Sequence, residues 1–127
     1  MSSTGSCIAV VDDEAPVRTA LGRLLRLADY DVIAFASGED FLAALELRHP
    51  DCVVLDIHLP GLSGLEVQAR MRARHKVPVV FITASDDPAL GEAALRGGGV
   101  RLLRKPFESR DLLEAVGAAL HDQPKAS

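Results

Sequence analysis

Val53-Val54-Leu55-Asp56-Ile57 is a short run of β-branched and aliphatic residues that carries one carboxylate near its end. The run is too brief for a helix and does not alternate with polar residues, so it predicts a strand buried on both faces. In open parallel sheets the reactive groups lie outside the carboxyl ends of the strands, which is where Asp56 stands. A turn at residues 59–64 then opens a helix and places Asp56 at the mouth of a crevice. An aspartate that only caps its own loop is the alternative.

The length and composition of the chain bound its class. Its 127 residues suit one domain, and no apolar run approaches the roughly 18 residues that mark a membrane-spanning helix. The N-terminus lacks the basic start and apolar stretch of a secretory signal, so we expect a cytoplasmic location. A net charge of -4 without a basic cluster gives no electrostatic basis for direct binding of nucleic acid by this chain. Cys7 and Cys52 each precede an apolar run and are predicted to be buried free thiols.

Apolar runs alternate with helical patterns along the whole chain. Predicted strands cover residues 8–11, 30–35, 53–57, 78–82 and 100–103. Predicted helices begin after Glu14, at Ser37, at Ser63, at Asp87 and before Leu112, and the second to fourth end near Pro50, Arg74 and Gly97. This alternation is typical of βαβ units around a parallel sheet with helices on both faces. We therefore expect an α/β fold with an open, doubly wound five-stranded sheet in the order 2-1-3-4-5.

The predicted strand order brings polar residues from four strand ends to one edge of the sheet. Asp12 and Asp13 follow the first strand, and Asp56 ends the neighbouring third strand. Three adjacent carboxylates repel each other unless a cation shares the site, and oxygen ligands beside open space favour Mg²⁺ over Zn²⁺. Thr83 ends the fourth strand and Lys105 follows the fifth. Asp56 would then be an ionised nucleophile toward phosphorus, with Thr83 and Lys105 placed to meet the phosphoryl oxygens.

Each of these residues also has a simpler interpretation. Asp12 and Asp13 would serve as caps of the first helix and complement its dipole. Thr83 would be an ordinary strand-end hydroxyl, and Lys105 a solvated loop lysine. Taken singly, the simpler interpretations are favoured. The combination favours the phosphoryl-transfer site, because four separate strands each end in the required chemical type.

Four motifs carry this pattern: Val11-Asp12-Asp13-Glu14, Leu55-Asp56-Ile57-His58-Leu59-Pro60-Gly61-Leu62-Ser63-Gly64, Ile82-Thr83-Ala84 and Lys105-Pro106-Phe107. In combination they resemble the receiver domain of bacterial two-component response regulators, over residues 8–120. The stretches at 41–42, 52–56 and 79–83 are most similar to the FixJ/NarL-like branch, whose members often carry a C-terminal helix-turn-helix. We therefore expect a flavodoxin-like receiver domain at 7–121, between an N-terminal tail at 1–6 and a polar tail at 122–127.

The resemblance implies how the acidic edge would work. Asp56 would accept a phosphoryl group from a phosphohistidine on a sensor histidine kinase or a phosphotransfer protein. Asp13, Asp56 and the backbone carbonyl of His58 would hold Mg²⁺. Asp12 would act mainly through water.

Further positions of the family fall on residues around this edge. Lys105 would pair with the phosphoryl group, and its bond to Pro106 would be cis, an isomer rare enough to need local enforcement. Thr83 would move toward the phosphoryl group. The family's aromatic switch residue on the fifth strand is replaced here by Leu102, and a leucine cannot reproduce the movement of a ring. His58 and Ser85 would flank the path of the water that hydrolyses the acyl phosphate.

Three classes of function follow from these observations. The first is a phosphorylation-controlled switch that signals through the fourth helix, fifth strand and fifth helix, for example by forming a homodimer. Such a switch is no enzyme beyond its own phosphotransfer and dephosphorylation. The second is a non-switching interaction module, which is suggested by Leu102 in place of the aromatic switch residue. The third, a nucleotide-binding enzyme or an aspartyl phosphatase, is weakly supported, because residues 12–14 replace a phosphate-binding glycine loop and Asp56 has no second acid two residues on. A stand-alone receiver and a fragment of a DNA-binding regulator both stay open.

Overall fold

The computed structural model describes residues 5–121, which form five strands and five helices in strict alternation. The strands are β1 (Cys7–Val11), β2 (Asp31–Phe35), β3 (Cys52–Asp56), β4 (Val79–Thr83) and β5 (Arg101–Arg104). The helices are α1 (Ala15–Leu27), α2 (Gly38–Leu45), α3 (Gly64–Arg72), α4 (Pro88–Arg96) and α5 (Ser109–His121). Of the two predicted tails, residues 1–4 and 122–127 lie outside the described residues.

All strand pairings are parallel, and the sheet order is β2-β1-β3-β4-β5. The predicted α/β fold and strand order are therefore confirmed. β1 and β3 are neighbours, with Val11 paired with Leu55. Because the residue after each of these carries a carboxylate, Asp12 and Asp56 leave the sheet side by side. β1, β3 and β4 are buried along their whole length, as continuous apolar runs predict.

Two apolar clusters cover the two faces of the sheet. One packs α2, α3 and α4 on one face, with Phe41, Val67 and Ala94 as representatives of the three helices. The other packs α1 and α5 on the opposite face, through Leu25 and Val116 among others. The helices thus lie on both faces, as predicted for right-handed crossovers. No helix among residues 5–121 is long and apolar enough to cross a membrane.

Local signals in the sequence account for most helix starts. Ser63 and Glu66 form a reciprocal capping box at α3, and Ser37 accepts a hydrogen bond from the backbone N–H of Asp40 at α2. Asp87 caps α4, which ends at Gly97 as predicted. Cys7 and Cys52 are buried free thiols, as expected.

The second helix is shorter than predicted. It ends at Leu45, four residues before the expected end near His49 and Pro50. Leu47 beyond it is 91% exposed, so a further turn would bury no apolar side chain. In addition, the residue before a proline disfavours the helical region of backbone space. α3 likewise ends at Arg72, two residues before the expected Arg74.

Candidate functional site

Three carboxylates meet at the carboxyl edge of the sheet. Asp12, Asp13 and Asp56 each offer an oxygen atom, and these atoms all lie within 4.8 Å of one another. The structure therefore brings together the three residues that the strand order predicts. Asp12 and Asp56 are buried, whereas Asp13 is exposed.

Asp56 is more enclosed than a position at a crevice mouth suggested, because only 4% of its surface is exposed. Its Oδ1 accepts a hydrogen bond from the backbone N–H of His58 at 3.0 Å. Burial raises the pKa of Asp56 to about 6, against the opposing effects of that N–H group and of Lys105, while the charge of Asp12 raises it further. An additional cation beside Asp56 would lower this pKa and keep the carboxylate ionised.

Lys105 supplies the positive charge of the site. Its Nζ lies 2.9 Å from Oδ2 of Asp12, 3.4 Å from Oδ2 of Asp56 and 3.8 Å from Oε1 of Glu14. Burial lowers the pKa of Lys105, but the hydrogen bond to Asp12 and the charges of Asp56 and Asp12 outweigh it, so the pKa lies above its ordinary value. The Lys105–Pro106 peptide bond is cis, the isomer that the family resemblance implies.

Backbone contacts fix the positions of Lys105 and Asp12. The N–H of Lys105 donates to the carbonyl oxygen of Thr83 at 2.7 Å, which extends the β4–β5 pairing by one residue. Oδ1 of Asp12 accepts from the N–H of Glu14, the N-cap residue of α1, whose own side chain makes no capping bond. Asp12 therefore does not cap the first turn of α1, in contrast to the simpler interpretation of its role.

A chain of hydroxyl contacts leads from the site to α4. Thr83 ends β4 and is buried, and its Oγ1 accepts a hydrogen bond from the N–H of Ser85 at 3.0 Å. Oγ of Ser85 in turn accepts from the N–H of Asp87, whose carboxylate accepts from Ala89 in the first turn of α4. The site is thus connected to the N-terminus of α4 through consecutive side-chain to backbone hydrogen bonds.

Leu102 lies on β5, half-buried and paired with Phe81 of β4. It packs against the cluster under α4, and a Cβ at Gly91 would lie 2.9 Å from Cδ2 of Leu102. The leucine therefore fills the space that Gly91 leaves between α4 and the sheet. His58, two residues after Asp56, is exposed.

Several residues that support the site escaped the sequence interpretation. Nη1 of Arg18 donates to the carbonyl oxygen of Asp12 at 2.7 Å, a contact between α1 and the end of β1. Glu39 accepts from the N–H of Leu62 at 3.2 Å and so holds the loop after Asp56. Gly64 packs directly on that loop, because a Cβ there would overlap the carbonyl oxygen of Asp56. The glycine itself was the available signal for this close approach.

The donor set of the site fits a hard divalent cation. It consists of the oxygens of three carboxylates. Asp13 is exposed, whereas Asp56 is buried and its pKa is raised in the absence of a cation. Mg²⁺ binds through one or two carboxylates and retains waters, which matches a site open on one side. Together with the ammonium group of Lys105, the arrangement is suited to hold and neutralise a phosphoryl group beside a carboxylate.

Comparisons with known proteins agree with this geometry. Residues 8–117 match the family model described as response regulator receiver domain. The chain is 41% identical over 121 residues to the transcriptional regulatory protein TdiR of Thauera aromatica. The aligned region covers 94% of this chain and 53% of TdiR. It is 35% identical over 126 residues to the transcriptional regulatory protein FixJ of Bradyrhizobium diazoefficiens. This aligned region covers 98% of the chain and 62% of FixJ.

A solved structure described as FixJ-N superimposes with a TM-score of 0.89 at 28% sequence identity, covering 97% of this chain and 99% of that one. The chain spans about half the length of the curated relatives it matches first. The sequence match and the fold agree over the same residues, and the resemblance seen in the four motifs is confirmed. The chain belongs to the response regulator receiver domains, the phosphorylation-controlled signalling modules of two-component systems.

Proposed function

We propose that Asp56 accepts a phosphoryl group, in a Mg²⁺-dependent reaction, from the phosphohistidine of a sensor histidine kinase or a phosphotransfer protein. One observation carries this proposal: Lys105 Nζ lies 3.4 Å from Asp56 Oδ2, at the point where the oxygens of Asp12 and Asp13 also converge. A nucleophile, a fixed cation and carboxylates for a divalent ion are then present together. In this proposal the receiver domain spans residues 7–121, with tails at 1–6 and 122–127.

The proposed ligands of Mg²⁺ are Asp13, Asp56 and the backbone carbonyl of His58. Asp12 would act mainly through water, as the family resemblance implies, and its carboxylate binds the N–H of Glu14 and the ammonium group of Lys105. Asp13 is exposed, so an ion from solvent has direct access to its carboxylate. When bound, the ion would supply positive charge that keeps Asp56 ionised and neutralises the phosphoryl oxygens.

In the transfer step, an oxygen of the Asp56 carboxylate would attack phosphorus. The bond between phosphorus and the donor imidazole breaks, and its electron pair returns to the imidazole nitrogen, which takes up a proton. Lys105 would exchange its contact with the carboxylates for one with a phosphoryl oxygen. The Oγ1 of Thr83 accepts from Ser85, so its own proton remains available to donate to a second phosphoryl oxygen.

His58 and Ser85 are proposed to set the lifetime of the acyl phosphate. His58 is exposed beside Asp56, and Ser85 is held next to Thr83 by a hydrogen bond. Water that attacks phosphorus in line would have to pass these side chains. The bulk and polarity at these two positions would therefore govern the rate of dephosphorylation.

The proposed output is a change of the surface formed by α4, β5 and α5, with homodimerisation on phosphorylation. Leu95 of α4 is 48% exposed on this part of the chain. The hydroxyl chain from Thr83 to Asp87 offers a route by which movement of Thr83 would reach α4. We also propose that this chain acts in the cytoplasm. Its net charge of -4 gives no electrostatic basis for binding nucleic acid, so we propose no such binding by this chain itself.

A non-switching interaction module is the second candidate, and Leu102 is the observation that favours it. The leucine is wedged against Gly91, so it already occupies the space between β5 and α4. Under this alternative, the acceptor chemistry would be intact but the surface formed by α4, β5 and α5 would not respond.

The test is treatment of the chain with beryllofluoride and Mg²⁺, or with a small-molecule phosphodonor, followed by mass spectrometry and NMR. We expect modification by the phosphodonor that is lost in Asp56→Asn, and shifts that extend from the acidic edge into α4 and β5. Modification that persists in Asp56→Asn would refute the assignment of the acceptor. Shifts restricted to the acidic edge would favour the non-switching module.

A further inference from the structure

Two histidines lie together at the edge of the sheet opposite the acidic cluster. His49 lies in the loop before β3, and His75 lies in the loop between α3 and β4. Their rings stand edge to face, with centroids 4.4 Å apart and an interplanar angle of 71°. His49 is exposed and His75 is half-buried, so the pair is open to solvent from one side.

Glu46, the C-cap residue of α2, adds a carboxylate to this pair. Its Oε2 lies 3.7 Å from Nε2 of His75, which is too long for a hydrogen bond. Nε2 of His75 is buried. Among residues 5–121, it is the one buried side-chain nitrogen or oxygen atom that has no hydrogen-bond partner. Buried polar atoms are nearly always satisfied, so an imidazole nitrogen without a hydrogen bond, 3.7 Å from a carboxylate oxygen, points to a partner that binds both atoms.

We propose that His49, His75 and Glu46 bind a divalent transition-metal ion of the Zn²⁺ class. Imidazole nitrogen and carboxylate oxygen are ordinary Zn²⁺ ligands, each at about 2.0–2.2 Å, so two ligands of a tetrahedral ion stand roughly 3.4 Å apart. The 3.7 Å between Nε2 of His75 and Oε2 of Glu46 is close to that separation. The ion would satisfy Nε2, and the carboxylate would neutralise part of its charge.

Binding requires two small side-chain movements. Only the acidic cluster brings three such ligand atoms within 4.8 Å in the part of the chain that the structure describes, so the ring of His49 has to turn toward Glu46. His49 is an exposed loop residue, which makes this rotation inexpensive. Glu46 also pairs with Arg74 at 3.3 Å, but both side chains are more than half exposed, so this ion pair is weak and Arg74 is able to move aside.

The proposed site is independent of the acidic cluster. β3 begins three residues after His49 and ends at Asp56, and a strand of five residues spans roughly 17 Å. The thiol of Cys52 is a poor competitor, because burial raises its pKa to about 12 and thiols bind metal as thiolates. A metal ion bound at the histidines is therefore distinguishable from one bound at the other edge or by Cys52.

The test is calorimetric titration of Zn²⁺ into the 127-residue chain in the presence of saturating Mg²⁺, which is added to fill the proposed Mg²⁺ site at the acidic cluster. We expect one Zn²⁺ per chain. Loss of a supporting partner alone costs metal sites roughly 10- to 100-fold in affinity, so His49→Ala and His75→Ala should weaken binding by at least about tenfold. His121→Ala removes an exposed histidine at the end of α5 and should leave the affinity unchanged.

Two further measurements separate this site from other sources of Zn²⁺ binding. On addition of Zn²⁺, the imidazole NMR signals of His49 and His75 should shift, while those of His58 and His121 should not. Affinity should fall as the pH is lowered, because protons compete for the imidazole nitrogens. Absence of saturable binding, equal affinity in His75→Ala, or loss of binding in Asp13→Asn would each overturn the proposal.

Discussion

The ammonium nitrogen of Lys105 lies 2.9 Å from Oδ2 of Asp12, a carboxylate that has no exposed surface. Asp12 comes from the end of β1 and Lys105 from the end of β5, so this contact spans the sheet edge. A buried carboxylate without a cation is strongly unfavourable, which means that Lys105 stabilises the fold as well as the site. The same contact holds the ammonium group ready beside Asp56.

Lys105→Met should therefore affect both stability and chemistry. Methionine retains much of the volume but leaves Asp12 buried without its partner, so the metal-free protein should lose about 3 kcal/mol of unfolding free energy. Phosphorylation by a small-molecule donor should also become slower. Urea unfolding in the presence of a chelator and mass spectrometry against time measure the two effects. Lys76→Met is the matched control, because Lys76 is an exposed loop residue; a Lys105→Met protein that behaves like this control would contradict the assigned role.

The raised pKa of Asp56 predicts an unusual dependence of stability on pH. The ordinary pKa is 3.8 and the value in the folded, metal-free protein is about 6, so the folded state binds the proton more tightly than the unfolded chain. The contribution to stability is thus fully present below about pH 4 and is lost as the pH rises through 6, a change of a few kcal/mol.

Asp56→Asn removes this titration, so the variant should gain stability over the wild type as the pH rises from 4 to 7. Urea denaturation at several pH values in the presence of a chelator gives the difference between the two proteins. Mg²⁺ should reduce that difference at pH 7, because a bound cation favours the ionised carboxylate. A difference that stays constant between pH 4 and 7 would rule out the raised pKa.

The arrangement of strands and acidic residues was predictable because it depends on local patterns. Residues 8–11, 53–55 and 79–82 are apolar without alternation, which favours strands covered on both faces. Once β1 and β3 are neighbours, Asp12 and Asp56 have to meet at the edge. The positions of these residues therefore follow from sequence order and the handedness of the crossovers.

Contacts between distant segments were not predictable in this way. The hydrogen bond of Arg18 to the carbonyl of Asp12 and the bond of Glu39 to Leu62 depend on how closely helices approach loops, which no local pattern encodes. The burial of Asp56 was underestimated for the same reason, because neighbouring segments enclose a residue that the sequence places at an open edge. The shorter α2 depended on whether Leu47 finds a packing partner.

Gly64→Ala should disturb the site through the backbone. A Cβ at Gly64 would overlap the carbonyl oxygen of Asp56 and lie 2.8 Å from Cα of Ile57, and backbone atoms are unable to yield without moving β3. We expect a loss of about 1–3 kcal/mol in stability and slower phosphorylation of Asp56. Unfolding and phosphodonor assays measure these effects.

Gly117→Ala provides the matched control for this substitution. Gly117 lies within α5, and a Cβ there would meet no atom within 4 Å. Alanine is favoured over glycine in a helix interior by about 1 kcal/mol, so this variant should be more stable and equally active. Equal behaviour of Gly64→Ala and Gly117→Ala would show that the close packing on Asp56 has no functional weight.

His58→Ala should shorten the lifetime of the acyl phosphate without slowing its formation. The backbone N–H of His58 holds Oδ1 of Asp56 at 3.0 Å and is unaffected by the substitution, whereas loss of the exposed ring opens the approach to phosphorus. Dephosphorylation should accelerate severalfold, which corresponds to roughly 1 kcal/mol in the barrier. Mass spectrometry of the phosphorylated chain after removal of the donor gives the decay rate, with His121→Ala as the control. An unchanged decay rate would remove His58 from the path of the attacking water and leave its backbone as its contribution to the site.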